Sequence, residues 1–180
     1  MWTALCWKLT GIKIQPMDTD KNTLPKRKST RLKNFDYSSN GAYFVTICTQ
    51  NKEKILCNIV GGDANIAPCV ELKSYGKTVD RYINNISSKY PHITVDKYVI
   101  MPNHIHLMIR IDRTMWASSP TTISDIVRSL KILTTKEIGK SIFQRSFHDH
   151  IIRDDADYLK IWNYIETNPA RWREDCFYVE

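Results

Sequence analysis

The stretch Tyr98-Val99-Ile100-Met101-Pro102-Asn103-His104-Ile105-His106-Leu107-Met108-Ile109-Arg110-Ile111 decides how this chain folds. It is rich in β-branched residues and divided by one proline. Proline biases the residue before it to extended geometry and cannot donate to a strand ladder, so a turn belongs at Met101-Pro102-Asn103, between a strand over Ile93 to Met101 and a strand over His104 to Ile111. Side chains alternate across a strand with a period of two. That period sorts the second strand into an apolar face, Ile105, Leu107, Ile109 and Ile111, and a face carrying His104, His106, Met108 and Arg110.

Upstream, Tyr43-Phe44-Val45-Thr46-Ile47-Cys48-Thr49 reads as another strand, and the residues from there to Gly61-Gly62 read as loop. Leu72, Tyr75, Val79, Tyr82, Ile83 and Ile86 recur at steps of three and four, the mark of an amphipathic helix that Pro91 ends. Downstream, Thr122 and Asp125 form a capping-box pattern before a helix with the stripe Ile123, Ile126, Val127, Leu130 and Leu133, running to about Gly139. Residues 142 to 152 alternate loosely and read as a fourth strand, after which Asp154-Asp155 cap a last helix with the stripe Tyr158, Ile161, Trp162 and Ile165. The order is βαββαβ plus a helix: an α+β, ferredoxin-like or RRM-like antiparallel sheet with an additional C-terminal helix.

With 180 residues, 42% hydrophobic and 25% charged, the chain has enough apolar sequence for one buried core, and six glycines with seven prolines exclude collagen-like or Pro/Gly-rich disordered classes. No apolar run approaches the ~20 residues of a membrane span, which gives the expectation of a cytoplasmic protein with no membrane partner. The net charge of +7 is unevenly spread. Residues 1 to 40 hold eight basic against three acidic residues, and the rest is nearly balanced. Residues 1–40 are therefore read as a basic irregular arm, and residues 41–180 as the folded domain. Within the arm Lys26, Arg27, Lys28, Arg31 and Lys33 have the composition that neutralises phosphates, or else simply solubilises a tail. Five cysteines without a Cys-x-x-Cys pair indicate reduced thiols and no zinc knuckle.

Two imidazoles on one strand face suit a divalent metal with positions left open for substrate oxygens; the alternative is a pair of surface histidines. On the last helix Tyr164 and Asn168 lie four apart, so a phenol and a carboxamide share one flank of the apolar stripe. A tyrosine at such an edge is more often half-buried packing than a nucleophile. His150 and Arg153 follow from the fourth strand and could orient a phosphate or a ligand, or equally be ordinary polar residues at a strand end. Arg110, Arg128 and Lys131 could contact a nucleic-acid backbone, though each alone reads more simply as a solvated charge.

The string from Tyr98 to Leu107, followed far downstream by Trp162-Asn163-Tyr164-Ile165-Glu166-Thr167-Asn168-Pro169, resembles the REP-associated tyrosine transposases, within the HUH single-strand nucleases. The resemblance extends from about Lys26 to Trp172 and includes the segment Phe147 to Arg153. It implies that His104, His106 and Asn168 bind Mg²⁺ or Mn²⁺, and that Tyr164 attacks a phosphodiester of single-stranded, hairpin-forming DNA, leaving a 5′-phosphotyrosine and a free 3′-hydroxyl. The link keeps the energy of the phosphodiester, so a strand can be rejoined without a nucleotide triphosphate. A free tyrosine has a pKa of ~10, so the attack needs help in removing the proton. Whether the protein acts as a monomer or a homodimer is left open by spacing alone. Two further readings share the expected sheet: a non-catalytic RRM-like nucleic-acid-binding module, and a metal phosphoesterase that uses water.

Overall fold

The computed structural model describes residues 36–61, 68–112 and 121–179. In chain order the elements are β1 (Gly41–Cys48), β2 (Cys57–Val60), β3 (Cys69–Leu72), α1 (Ser74–Asn84), α2 (Ile86–Lys89), β4 (Ile93–Ile100), β5 (His104–Ile111), α3 (Ile123–Ile138), β6 (His148–Ile152) and α4 (Asp155–Thr167), with single 3-10 turns at Gln50–Lys52 and Pro169–Glu174. The basic residues Lys26, Arg27, Lys28, Arg31 and Lys33 lie outside the described residues. Among those described, no helix is long and apolar enough to cross a membrane.

β1, β4, β5 and β6 form one antiparallel sheet in the order β4-β5-β1-β6, the arrangement expected of a split βαβ fold. The two-residue period then builds two layers. Tyr43, Val45 and Ile47 of β1 join Ile105, Leu107, Ile109 and Ile111 of β5 beneath α1 and α3, in a core that also takes Val79, Ile83, Ile123, Ile126, Val127 and Leu130. Phe44 and Met108 point the other way and pack against Ile161 and Ile165 of α4. The last helix thus covers the face of the sheet that carries the histidines, and the first helices cover its opposite face.

The helix ends follow from local chemistry. Thr122 and Asp125 close a reciprocal capping box on α3, Gly139 ends it in the left-handed region at φ 82°, and the Asp154 side chain accepts from Asp157 N at 2.8 Å to start α4.

Two expectations are corrected. The segment after β1 is not loop throughout: β2 and β3 form a separate two-stranded antiparallel sheet, and Leu72 belongs to β3 rather than to the first helix. Four-residue strands carry too little alternation to register in a sequence, and their partner is supplied by tertiary contact. The stretch 142 to 152 is a strand only from His148; Ile142 and Phe143 are buried anchors, and Phe143 makes a lone bridge with Thr49. The Met101-Pro102-Asn103 turn lies where the proline put it, and it is buried. The Leu56 amide donates to the Pro102 carbonyl at 3.0 Å, and the Cys57 thiol donates to the Ile100 carbonyl at 3.2 Å, so the segment after β1 lies over the turn and buries it.

α1 begins tightly against that segment. Lys73 N donates to the Leu56 carbonyl at 2.9 Å, and a Cβ on Gly76 would run into the same carbonyl group. Because the obstacle is backbone, Gly76→Ala is expected to destabilise the fold by about 1–3 kcal/mol or more in urea unfolding, although alanine is the better helix former.

Candidate metal and nucleophile site

His104 and His106 are both essentially fully buried, which removes the reading of a surface pair. Their Nε2 atoms lie 3.0 Å apart. Each ring is fixed from behind. Asn103 Nδ2 donates to the Phe177 carbonyl at 2.8 Å, which turns Asn103 Oδ1 toward His104 Nδ1 at 2.9 Å. An amide oxygen only accepts, so the His104 proton sits on Nδ1 and Nε2 presents a lone pair. His106 Nδ1 meets the Thr46 hydroxyl at 2.8 Å, and that hydroxyl can accept the Nδ1 proton, freeing His106 Nε2 in the same way. Burial pushes His104 down to about 3, helped by the nearby Lys52 charge; burial and then His104 hold His106 well below the usual imidazole range, against the opposing pull of Asp175. Both rings are neutral at pH 7, as metal-binding imidazoles must be.

Tyr164 reaches this pair from α4 of the same chain. Its hydroxyl is 3.2 Å from His106 Nε2, and the ring stands edge-on to Phe44. Asn168, one turn further and buried, ends the helix beside it. The strand pair and the helix pair thus lie together, with Asn168 joined to the Tyr164 hydroxyl through Asp175.

The carboxylate in the cluster is a residue the sequence reading passed over. Beyond α4 the chain turns through Pro169–Glu174 and folds back over the histidines. Phe177 lies tilted against His104 with ring centroids 4.7 Å apart, Trp172 lies 5.8 Å from the same ring, and Asp175 between them enters the site. Asp175 Oδ2 accepts from the Tyr164 hydroxyl at 3.0 Å and from Asn168 Nδ2 at 2.8 Å, and lies 3.9 Å from His104 Nε2. His104, His106 and Asp175 offer ligand atoms all within 4.8 Å of one another. Asp175 belongs to no periodic stripe or short motif, so the only signal it could have given is an acidic residue within a dozen positions of Tyr164.

The remaining candidates are placed elsewhere. Arg110 is on the histidine face but four residues beyond His106 along β5, about 13 Å away, where it makes two bonds to Asp96 Oδ2 at 2.8 and 3.0 Å. Arg128 is exposed on α3, in the opposite layer, 3.4 Å from Asp125. His150 pairs with Asp157 at 2.7 Å, and Arg153 is exposed past the end of β6. The β6 histidine nearest the site is instead His148, which sits opposite Thr46 as Thr46 sits opposite His106. Register, not sequence, makes that row. Lys131 is no free cation: its ammonium donates to the carbonyls of Gln144, Arg145 and Ser146 at 2.8, 3.3 and 3.0 Å and anchors the loop that leads into β6, with burial lowering its pKa to about 8. Burial raises the Cys48 and Cys57 thiols to about 11 and 12, consistent with structural cysteines.

Among proteins of known sequence, the chain is 34% identical over 175 residues to an uncharacterized protein of Haemophilus influenzae, an alignment covering 86% of this chain and 94% of that one. It is 26% identical over 158 residues to a second Haemophilus influenzae protein, named a REP-associated tyrosine transposase, covering 76% of this chain and 74% of that one. Among solved structures, a REP-associated tyrosine transposase bound to a REP hairpin superposes with a TM-score of 0.59 at 20% identity, over 81% of this chain and 76% of that one, and shares the fold. No family model matches the chain.

Replacing Lys131 with methionine keeps the aliphatic stem and deletes the three carbonyl contacts. It is expected to destabilise the protein by about 1–3 kcal/mol in chemical unfolding, and a variant as stable as wild type would show that those carbonyls find water at no cost.

Proposed function

We propose that the chain is a REP-associated tyrosine transposase that cuts and rejoins single-stranded DNA beside a hairpin, using Tyr164 as nucleophile and a divalent metal held by His104 and His106, a reading supported by its similarity to a relative of that name. The observation that carries the reading is the convergence, within one chain, of a tyrosine hydroxyl and two buried neutral imidazole nitrogens, 3.2 and 3.0 Å apart in series. The hairpin bound by the structural relative supports the choice of substrate.

The residues fit such a metal. Two lone pairs facing each other at 3.0 Å repel unless a proton or cation lies between them, and about 3 Å is the separation of neighbouring ligands around an octahedral ion with ~2.1 Å bonds. Asn168 Oδ1 is buried and has no hydrogen-bond partner among the described residues, an orphaned oxygen that suits a cation or its bound water. Bound there, Mg²⁺ or Mn²⁺ supplies a Lewis acid for the phosphoryl oxygens.

The protein's own groups do the rest. Thr46 and Asn103 hold the two rings with Nε2 forward, as partners behind metal-binding histidines generally do. Ile161 and Ile165 seat α4 on Phe44 and Met108, which sets the height of Tyr164 above the sheet. In the reaction a bond forms between the Tyr164 oxygen and phosphorus as the bond from phosphorus to the 3′-oxygen breaks. The phenol loses one proton and the departing 3′-oxygen gains one. The reverse step with another 3′-hydroxyl joins a new strand. The basic arm, Lys26 to Lys33, is assigned to the DNA backbone on the strength of its charge. Arg110, Arg128, His150 and Arg153 lie apart from the cluster, and any contact they make would be with strand outside the cleavage point.

The test incubates the protein and Mn²⁺ with a 3′-labelled single-stranded hairpin oligonucleotide and runs the mixture under denaturing conditions. Wild type is expected to shift label to protein mass, and Tyr164→Phe to give none. His106→Ala is expected to lose more than ~10²-fold of the cleavage rate while still binding the hairpin. Cleavage without an adduct would transfer the attack to water, and hairpin binding with neither event would leave a binding module.

A further inference from the structure

Resting on the metal reading above, we infer that Asp175 is a positioning residue of this site: its carboxylate turns the Asn168 amide so that the oxygen end, Oδ1, faces the cation held by His104 and His106.

A carboxamide ends in a donor and an acceptor of nearly the same shape, and only the oxygen can ligate a cation. Asn168 stands at the C-terminal end of α4 and is buried, so its neighbours decide which end points forward. Asp175 Oδ2 takes the nitrogen end, accepting from Asn168 Nδ2 at 2.8 Å. An ionised carboxylate can only accept, and it repels an amide oxygen from that place. The oxygen end is thereby left over: buried, and without a hydrogen-bond partner among the described residues. An acceptor in that condition is costly unless a ligand meets it.

The carboxylate is itself held from behind. Phe177 N donates to Asp175 Oδ1 at 2.7 Å, Asp175 N donates to the Trp172 carbonyl at 3.1 Å, and Asn103 Nδ2 ties the Phe177 carbonyl to the turn that precedes His104. With Oδ1 engaged, Oδ2 is the oxygen turned to α4, where it also accepts from the Tyr164 hydroxyl at 3.0 Å. One oxygen therefore fixes two side chains a helical turn apart. Both carboxylate oxygens are spent on donors of the protein, whereas Asn168 Oδ1 is not, and this divides the roles: the amide ligates and the carboxylate aims it.

An isosteric change exposes the dependence. In Asp175→Asn the Phe177 N–H still requires an oxygen in front of it, so the new nitrogen takes the place of Oδ2. It then meets Asn168 Nδ2 donor to donor. Turning the Asn168 amide over removes that clash and restores a hydrogen bond, but it carries Oδ1 away from the histidines. Side-chain volume and the backbone bonds are unchanged, so the loss falls on metal affinity rather than on the fold.

Titration of the full chain with Mn²⁺ alone, followed by electron paramagnetic resonance of the free ion, tests this without any catalysis, with circular dichroism checking that each variant is folded. Asp175→Asn and Asn168→Ala are each expected to weaken Mn²⁺ binding about 10-fold or more. Made in the Asn168→Ala background, Asp175→Asn is expected to cost no more than about threefold, the part due to its charge, because the amide through which it acts is gone. The reversed pair, Asn168→Asp with Asp175→Asn, is expected to recover most of the wild-type affinity, since the introduced amide donates to one carboxylate oxygen and leaves the other for the cation. Unchanged binding in Asp175→Asn would overturn the inference and leave the metal reading standing. Losses that multiply in the double variant would overturn it by making Asp175 a direct ligand, and a reversed pair that recovers nothing would overturn the orienting role. Absence of Mn²⁺ binding by wild type would overturn both this inference and the metal reading, whereas the role of Tyr164 as nucleophile is decided separately by the adduct.

Discussion

The antiparallel pairing of β5 with β1 is the constraint on which the site depends. Its register sets Thr46 opposite His106 and Cys48 opposite His104, and the pleat sends both imidazoles to the face away from Ile105, Leu107 and Ile109. A slip of one residue would turn the histidines into the main core and the isoleucines toward α4. The buried apolar face holds the register through hydrophobic burial, and the polar face inherits its positions.

That face would be a poor place for two histidines if it were only packing. Burial strips their water and keeps both rings neutral, and each ring has one designated partner behind it, Asn103 or Thr46. What lies in front is supplied from remote sequence: the α4 phenol and the carboxylate of the segment beyond it. The site therefore joins one strand turn, one helix edge and one C-terminal turn. The same Asn103 serves the first and the last, with its Oδ1 on His104 and its Nδ2 on the Phe177 carbonyl, so ring orientation and closure of the tail are coupled through one amide.

Much of this was legible in the residues. The β5 alternation, the Pro102 turn, the capping box at Thr122 and the α4 stripe each depend on local chemistry with a short period, and each is found where the pattern put it. The short β2–β3 pair was not legible, because four residues give no period and Leu56 is buried by contact with a distant turn. The cationic candidates fared differently for a related reason. Arg110, Arg128 and Lys131 look alike in a sequence, yet one is clamped by Asp96, one stands in the wrong layer, and one is spent on three backbone carbonyls.

By itself the sequence determined the sheet topology and the two pairs that matter, His104 with His106 and Tyr164 with Asn168, because each pair lies within one regular element whose period dictates its face. Tertiary structure alone decided that the two pairs meet, that His148 rather than His150 shares their row, and that Asp175 closes the site. Those are contacts between segments far apart along the chain or outside any repeating element, and their positions are set by strand register and by how the chain folds back after α4.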